Sequence, residues 1–221
     1  MTSTFDPKNL PSDKITVFDI KFNDGAPENS VSPWTRIVIN AVRIKKIPHH
    51  IELVEMIDIP AISQYLDERY PETPTLVTKG TEGLIAAFQA AYSPIDMKLL
   101  TVLIPKMMSL MIGNTSEAHF RETRTKVFGG KPLESLIPVG EEAEKFWEEV
   151  QSLYDGVDSW YGNNTFIMGG EHPTYSDFSV AGRLWWYRST LGSASQEWKR
   201  IASWNEGRWA RLITYFDNYA K

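Results

Sequence analysis

A small α/β unit followed by an all-helical domain is the fold class this sequence predicts, and three observations predict it. Two β-branched runs, Ile15 to Ile20 and Ile51 to Ile57, flank a helical stretch between Ser32 and Pro48. From Glu72 onward no strand signal returns, and apolar residues recur at helical spacing almost to the C-terminus. Between the two regimes, Pro71 and Pro74 bracket a short linker, Glu72-Thr73-Pro74.

Composition narrows the function classes. With 221 residues the chain holds one large domain or two small ones, and 42% hydrophobic against 23% charged residues is ordinary for a globular protein. The net charge of −5 disfavours a nucleic-acid partner, which demands a basic footprint. The absence of cysteine removes disulfides, cysteinyl zinc sites and any thiol nucleophile of the chain's own. Residues 1–14 are polar, carry two prolines and read as a flexible leader rather than a secretory signal. The most apolar stretch, Leu99 to Ile112, is too short to span a bilayer and contains Pro105 and Lys106. A cytoplasmic protein with no membrane contact is the expectation, and it leaves the acceptor-like triplets at Asn114 and Asn163 without meaning.

The elements follow in order. Ile15-Thr16-Val17-Phe18-Asp19-Ile20 alternates as a strand, and turn residues between Lys21 and Val31 lead to the first helix. Ser32 is a favoured N-cap residue, and Pro33 suits the first helical position because its missing N–H would be unpaired there. Trp34, Ile37, Val38, Ala41 and Val42 fall on one helical face, which leaves Arg36, Arg43, Lys45 and Lys46 to the outer part. Ile47-Pro48 ends the helix, and Ile51 to Ile57 is the second strand. Ile62, Tyr65, Leu66 and Arg69 then mark a helix that stops before Pro71.

The remainder is helical. Leu84 to Ile112 carries a long apolar pattern that Pro94 and Pro105 divide into two or three helices or a kinked hairpin. Ser116 caps a short amphipathic helix that ends at Gly129-Gly130. Phe146, Val150, Leu153, Val157 and Trp160 define the face of a helix over Gly140 to Tyr161. Thr174 and Asp177 have the spacing of a capping box before a buried helix through Phe178, Ala181, Leu184 and Trp185. Helical pieces over Gln196 to Ser203 and Glu206 to Tyr219 complete the chain.

Ser32-Pro33-Trp34 opening a basic helix that closes on Pro48 resembles the start of a serine-type glutathione transferase. Ile62-Ser63-Gln64-Tyr65-Leu66-Asp67-Glu68-Arg69-Tyr70-Pro71 is similar to the last helix of that superfamily's glutathione-binding domain. Phe166-Ile167-Met168-Gly169 followed by Thr174-x-x-Asp177 resembles the folding signature of its helical domain, and His119 to Gly129 is similar to the fungal, etherase-related branch. The resemblance implies a thioredoxin-like domain over residues 15–71 and an all-helical C-terminal domain over 75–221. One block departs from the family pattern. The helix, the strand led by a cis-proline, the further strand and the acid-Ser pair that precede the last helix have no counterpart between Ile57 and Ala61. Those elements hold the peptide backbone and γ-glutamyl end of glutathione, so the first domain reads as truncated by an internal deletion. Two parallel strands and one helix bury too little to stand alone, so the unit must lean on the helical domain or on a partner chain.

What the resemblance implies in function is conjugation of glutathione to electrophilic apolar or aromatic molecules, or glutathione-dependent cleavage of aryl ethers, by a homodimer that needs no metal. Ser32 is the implied catalytic residue, with Pro33 and Trp34 joining it in binding glutathione. The chemistry is reasonable: a thiol of pKa near ~8.5 is mostly protonated at neutral pH, and a hydroxyl donor at a helix N-terminus favours its anion. Lowering that pKa by two units requires about 2.7 kcal/mol. The plainer reading of Ser32 is a helix cap worth about 1 kcal/mol, and Ser30 is the fallback hydroxyl. Arg36 either meets the glycine end of glutathione or is a solvated helix residue. His49, His50 and His172 lack metal-ligand spacing. Tyr92, Met97, Met107, Met108, Met111, Trp185 and Trp186 either line a pocket for the electrophile or form core. The competing function is a non-catalytic binder of hydrophobic small molecules that keeps a pocket in the helical domain.

Overall fold

The computed structural model describes residues 13–19, 33–53, 63, 67, 70–111 and 117–218. Strands β1 (Ile15–Asp19) and β2 (His49–Leu53) pair in parallel, Ile15 opposite His49 through Asp19 opposite Leu53. Helix α1 (Pro33–Ile44) connects them and starts at the proline, as its fixed φ favours. The helical domain follows: α2 (Glu82–Leu110), α3 (Glu117–Val127), a 3-10 turn at Leu133–Leu136, α4 (Glu141–Tyr161), α5 (Tyr175–Leu191) and α6 (Gln196–Asp217).

Helix α5 is the axis of the molecule. Every residue from Tyr175 to Tyr187 is buried, because α1, α2 and α6 all pack on it. The small α/β unit therefore leans on the helical domain, as its meagre apolar area requires. Val38, Ala41 and Val42 of α1 are buried as the helical spacing predicts, and so are Ile39, Asn40 and Ile44. Lys45 departs from its assignment to the outer part. Its side chain is fully buried, 2.9 Å from the Asp67 carboxylate and 2.5 Å from the Thr73 hydroxyl. A charge in the interior persists because a counter-charge and a hydrogen bond meet it there.

Asp67 also accepts from the backbone N–H of Leu76 at 2.9 Å and of Val77 at 2.7 Å, and the Leu76 carbonyl accepts from Tyr175 N at 2.8 Å. The linker is thus held from both sides, by the end of the first unit and by the first turn of α5.

Helix α2 runs through both prolines, so the expected break into shorter helices or a hairpin does not occur. An internal proline costs about 3 kcal/mol, and burial of Tyr92, Ile95, Leu99, Val102, Leu103, Met107 and Met108 offsets it. Ala90, whose carbonyl loses its partner to Pro94, is exposed to water. In α4 the buried stripe is Trp147, Val150, Tyr154, Val157 and Tyr161, one residue off the expected register at three positions. Tyr154 explains the choice: its hydroxyl meets Tyr92 at 2.8 Å and its ring packs against Trp204 and Trp209. The two C-terminal helical pieces are present, joined across a kink at Trp204–Gly207 where Gly207 has φ +76°. The expected cap at Ser116, the leader up to Ser12, the loop 21–31 and residues 54–57 of the second strand lie outside the described residues.

Candidate functional site

Two regions of the molecule bear on function: the start of α1 and a cleft beside the linker. Helix α1 begins at Pro33. Ser32, directly before it in the chain, lies outside the described residues, as does Ser30. Pro33 and Trp34 form the first turn of α1, and the helix also contains Arg36. Aligned peptide dipoles give such an end a partial positive charge suited to an anion.

The direction of α1 is fixed by the clasp at its other end. Lys45 is tied through Asp67 to Leu76, and Leu76 is bonded to Tyr175 at the start of α5. α1 itself packs on α5. The 12 residues of α1 rise about 18 Å, which separates its Pro33 end from that clasp.

On the α2 side of α5, a polar cluster is built into the core. Arg183 Nε donates to both oxygens of Asp96 at 2.9 and 2.8 Å, and Tyr187 donates to Asp96 at 3.0 Å. Arg183 also donates to Gln89 Oε1 at 3.0 Å and to the Ser179 hydroxyl, while Gln89 Nε2 donates to Ser179 at 2.9 Å. The guanidinium stands 4.7 Å over the Tyr92 ring. Burial pushes the Asp96 carboxyl above its ordinary range, with Arg183 opposing. Burial pulls the Arg183 guanidinium down, but Asp96, Tyr92 and Tyr187 together outweigh it and the net direction is up. Burial raises the phenols of Tyr92, Tyr154 and Tyr187 as well, so all three stay neutral at physiological pH. A satisfied network of this kind positions helices and supplies no free acid or base.

Between the linker, α2, the end of α4 and the start of α5 lies an open cleft of about 360 Å³. Leu76, Leu84, Phe88, Trp160, Ile167 and Met168 give it apolar walls, and Thr78, Thr81, Thr174 and Ser176 add hydroxyls at its margin. Leu84, Met168 and Trp160 are 62%, 50% and 38% exposed, which is high for apolar groups of their size. None of the seven residues offered as pocket lining belongs to it. Tyr92, Met107, Met108, Met111, Trp185 and Trp186 are core, and Met97 is exposed on α2. Sequence reasoning missed Trp160 and Met168 as lining: the spacing of Trp160 assigns it to the helix face of α4, and a turn methionine such as Met168 carries no periodic signal.

Two lining residues of the cleft, Ile167 and Thr174, are held by Asp177. Its carboxylate accepts from Thr174 N at 2.8 Å and Ile167 N at 2.9 Å, the capping box that the Thr174–Asp177 spacing predicts. Burial raises its pKa, and those backbone bonds act in the opposite direction. No group of three or more His, Asp or Glu side chains is placed to hold a metal among the described residues, and none of their helices is long and apolar enough to cross a membrane.

Comparison with known proteins bears on both regions. Residues 83–219 match the family model for the glutathione S-transferase C-terminal domain. Among solved structures, the glutathione S-transferase CsGST63524 of Ceriporiopsis subvermispora, in complex with glutathione, is 27% identical at a TM-score of 0.82, covering 93% of this chain and 97% of that one. CsGST83044 of the same organism, also in complex with glutathione, is 25% identical at a TM-score of 0.85, covering 93% and 98%. Glutathione transferase GSTFuA2 of Phanerochaete chrysosporium is 26% identical at a TM-score of 0.82, covering 95% and 99%. No curated protein matches. With its helical domain matched almost from first residue to last and its two-stranded unit packed at the head of that domain, this chain belongs to the glutathione S-transferase family.

Proposed function

We propose that the chain binds glutathione at the Pro33 end of α1 and directs its sulfur at electrophilic apolar or aromatic molecules, or uses it to cleave aryl ethers. The observation that carries this is the alignment of two glutathione-bound transferases along 93% of the chain. Ser32 is the hydrogen-bond donor to the thiolate, with Pro33 and Trp34 beside it. The hydroxyl remains a donor throughout and forms no covalent intermediate: the thiolate attacks the electrophilic carbon and the leaving group departs with its electron pair. The etherase-related assignment rests on the wording of His119 to Gly129, and a homodimer is the assembly this reading expects.

Only nine residues, 54–62, join β2 to Ser63, so the glutathione domain reads as shortened and turnover as weak. Calorimetric titration with glutathione, beside Ser32→Ala, tests the reading. Saturable binding, with thiol ionisation lost in the variant, supports the enzyme. No heat from a protein that still melts cooperatively overturns it in favour of a second reading, a non-catalytic binder of hydrophobic small molecules. The apolar cleft beside the linker, with no carboxylate, amine, guanidinium or imidazole in its lining, favours that alternative.

A further inference from the structure

One wall of the cleft stands apart from the others. Leu76 and Thr78 belong to the linker, whereas Leu84, Phe88, Trp160 and Met168 come from α2, α4 and the turn before α5. A molecule seated in the cleft therefore touches the linker on one side and the helical domain on the other.

What holds the linker wall also holds α1. Asp67 accepts from the N–H groups of Leu76 and Val77, and its carboxylate stands 2.9 Å from the buried ammonium of Lys45, the residue that follows α1. The Leu76 carbonyl accepts in turn from Tyr175 N of α5. Two strands and one helix bury little apolar area, so this junction is where part of the molecule opens short of global unfolding. When Leu76 leaves its place, Asp67 loses backbone donors and the cleft loses a wall.

The chemistry of the cleft names what fits it. About 360 Å³ is the size of a small-molecule pocket. The rings of Phe88 and Trp160 meet edge to face at 5.7 Å, a corner that suits a flat aromatic ring. Thr81 donates its hydroxyl proton to the Thr78 carbonyl and Thr174 donates to Asp177, so both offer lone pairs at the margin. No carboxylate, amine, guanidinium or imidazole lines the cleft, and an ionised ligand would lose hydration without gaining a counter-charge.

We propose that the cleft is a regulatory site: one flat, uncharged, fused aromatic ring with an N–H at its edge binds between the linker and the helical domain, locks Leu76 in its seat and, through Asp67 and Lys45, holds α1 against α5. This lock rests on the reading of the cleft as a small-molecule site and adds what occupancy does. A ligand that binds only the seated linker slows its opening by the factor 1 + [L]/Kd. The Pro33 end belongs to the helix so held, so glutathione that binds there binds more tightly when the cleft is filled.

Indole is the probe. Its Kd is measured calorimetrically, and hydrogen exchange of the full chain is followed with and without indole at ten times that value. In the free protein the amides of Leu76, Val77, Val38, Ile39 and Val42 are expected to exchange faster than those of Phe178, Val180 and Leu184 in α5, and indole slows the first set about ten-fold. Leu84→Glu cuts the slowing to about two-fold at the same concentration, because binding weakens about ten-fold. Lys45→Met keeps the slowing at Leu76 and Val77 and loses it in α1. No heat with indole overturns the lock together with the small-molecule reading, and α1 exchange that then slows as protein concentration rises assigns the cleft to a second copy of the chain. Heat without slowing at Leu76 and Val77, full slowing in Leu84→Glu, or slowing in α1 that survives Lys45→Met overturns the lock alone. Amides of α1 that exchange no faster than those of α5 in the free protein also overturn it, since nothing then opens separately. A lock on α1 in a protein that binds no glutathione supports the lock and counts against the Pro33 reading alone.

Discussion

The ammonium of Lys45 lies 2.9 Å from the carboxylate of Asp67, with the lysine side chain wholly out of water. This pair, at the end of α1, fastens the α/β unit to the linker. Removing the acid strands a buried cation and frees two linker N–H groups at once, so Asp67→Ala is expected to cost about 3–5 kcal/mol. Lys45→Met removes the cation and leaves Asp67 its backbone donors, so its loss is smaller. Urea denaturation of the two variants gives the order, and a larger loss for Lys45→Met would contradict it.

Asp177 ties the Ile167 turn to the start of α5 through two backbone N–H groups. Hydrogen bonds to a charged acceptor contribute about 1.5–3 kcal/mol each, so Asp177→Ala is expected to destabilise by about 3 kcal/mol or more. Asp177→Asn retains an acceptor and falls between that variant and wild type in thermal melts.

Acid titration isolates Asp96. Its folded-state pKa is raised, chiefly by burial, above the ordinary value of 3.8. Between 3.8 and the raised value the folded protein holds more protons than the unfolded chain, so this group's contribution to stability falls as pH rises through that window. Above and below the window it adds no slope. Asp96→Asn is less stable overall because Arg183 loses its counter-charge, yet the difference curve between it and wild type shows that slope. A flat difference curve would mean the carboxylate is not held in a desolvated site.

The cleft beside Trp160 and Phe88, whose rings meet edge to face at 5.7 Å, makes its own prediction. Naphthalene binding is expected to quench tryptophan fluorescence, and Trp160→Phe abolishes the part of the signal that arises in the cleft. Leu84→Glu places a charge in the apolar wall and weakens the binding about ten-fold. Quenching that persists in full in Trp160→Phe would locate the ligand elsewhere.

Bound glutathione reports on Ser32 through the ultraviolet absorbance of its thiolate. If the hydroxyl lowers the thiol pKa, Ser32→Ala moves that titration up toward about 8.5. An unchanged titration would leave Ser32 as a helix cap.

Local chemistry was readable from the chain wherever one residue type answered one need. Pro33 set the start of α1, and Thr174 with Asp177 set the start of α5. Tertiary terms defeated the reading elsewhere. Lys45 looked like a solvated cation because its partner is 22 residues away in sequence. Pro94 and Pro105 looked like breakers because the packing that keeps α2 continuous through them comes from α4 and α5. In α4, Phe146–Val150–Leu153 and Trp147–Val150–Tyr154 are both apolar at helical spacing, and the hydroxyl of Tyr92 with the rings of Trp204 and Trp209 decides between them.

The burial of α1 against α5 has a consequence in time. A ribosome delivers α1 first, yet the surface that covers it is complete only when Leu191 has emerged. Roughly 150 residues separate the two, and at ~5–20 residues per second that is about 7–30 seconds of synthesis. Throughout that interval Val38, Ile39, Val42 and Ile44 have no α5 to pack on. The nascent chain therefore passes through a long stage at which its first helix is apolar and uncovered. Anything that slows elongation between the linker and α5 lengthens it.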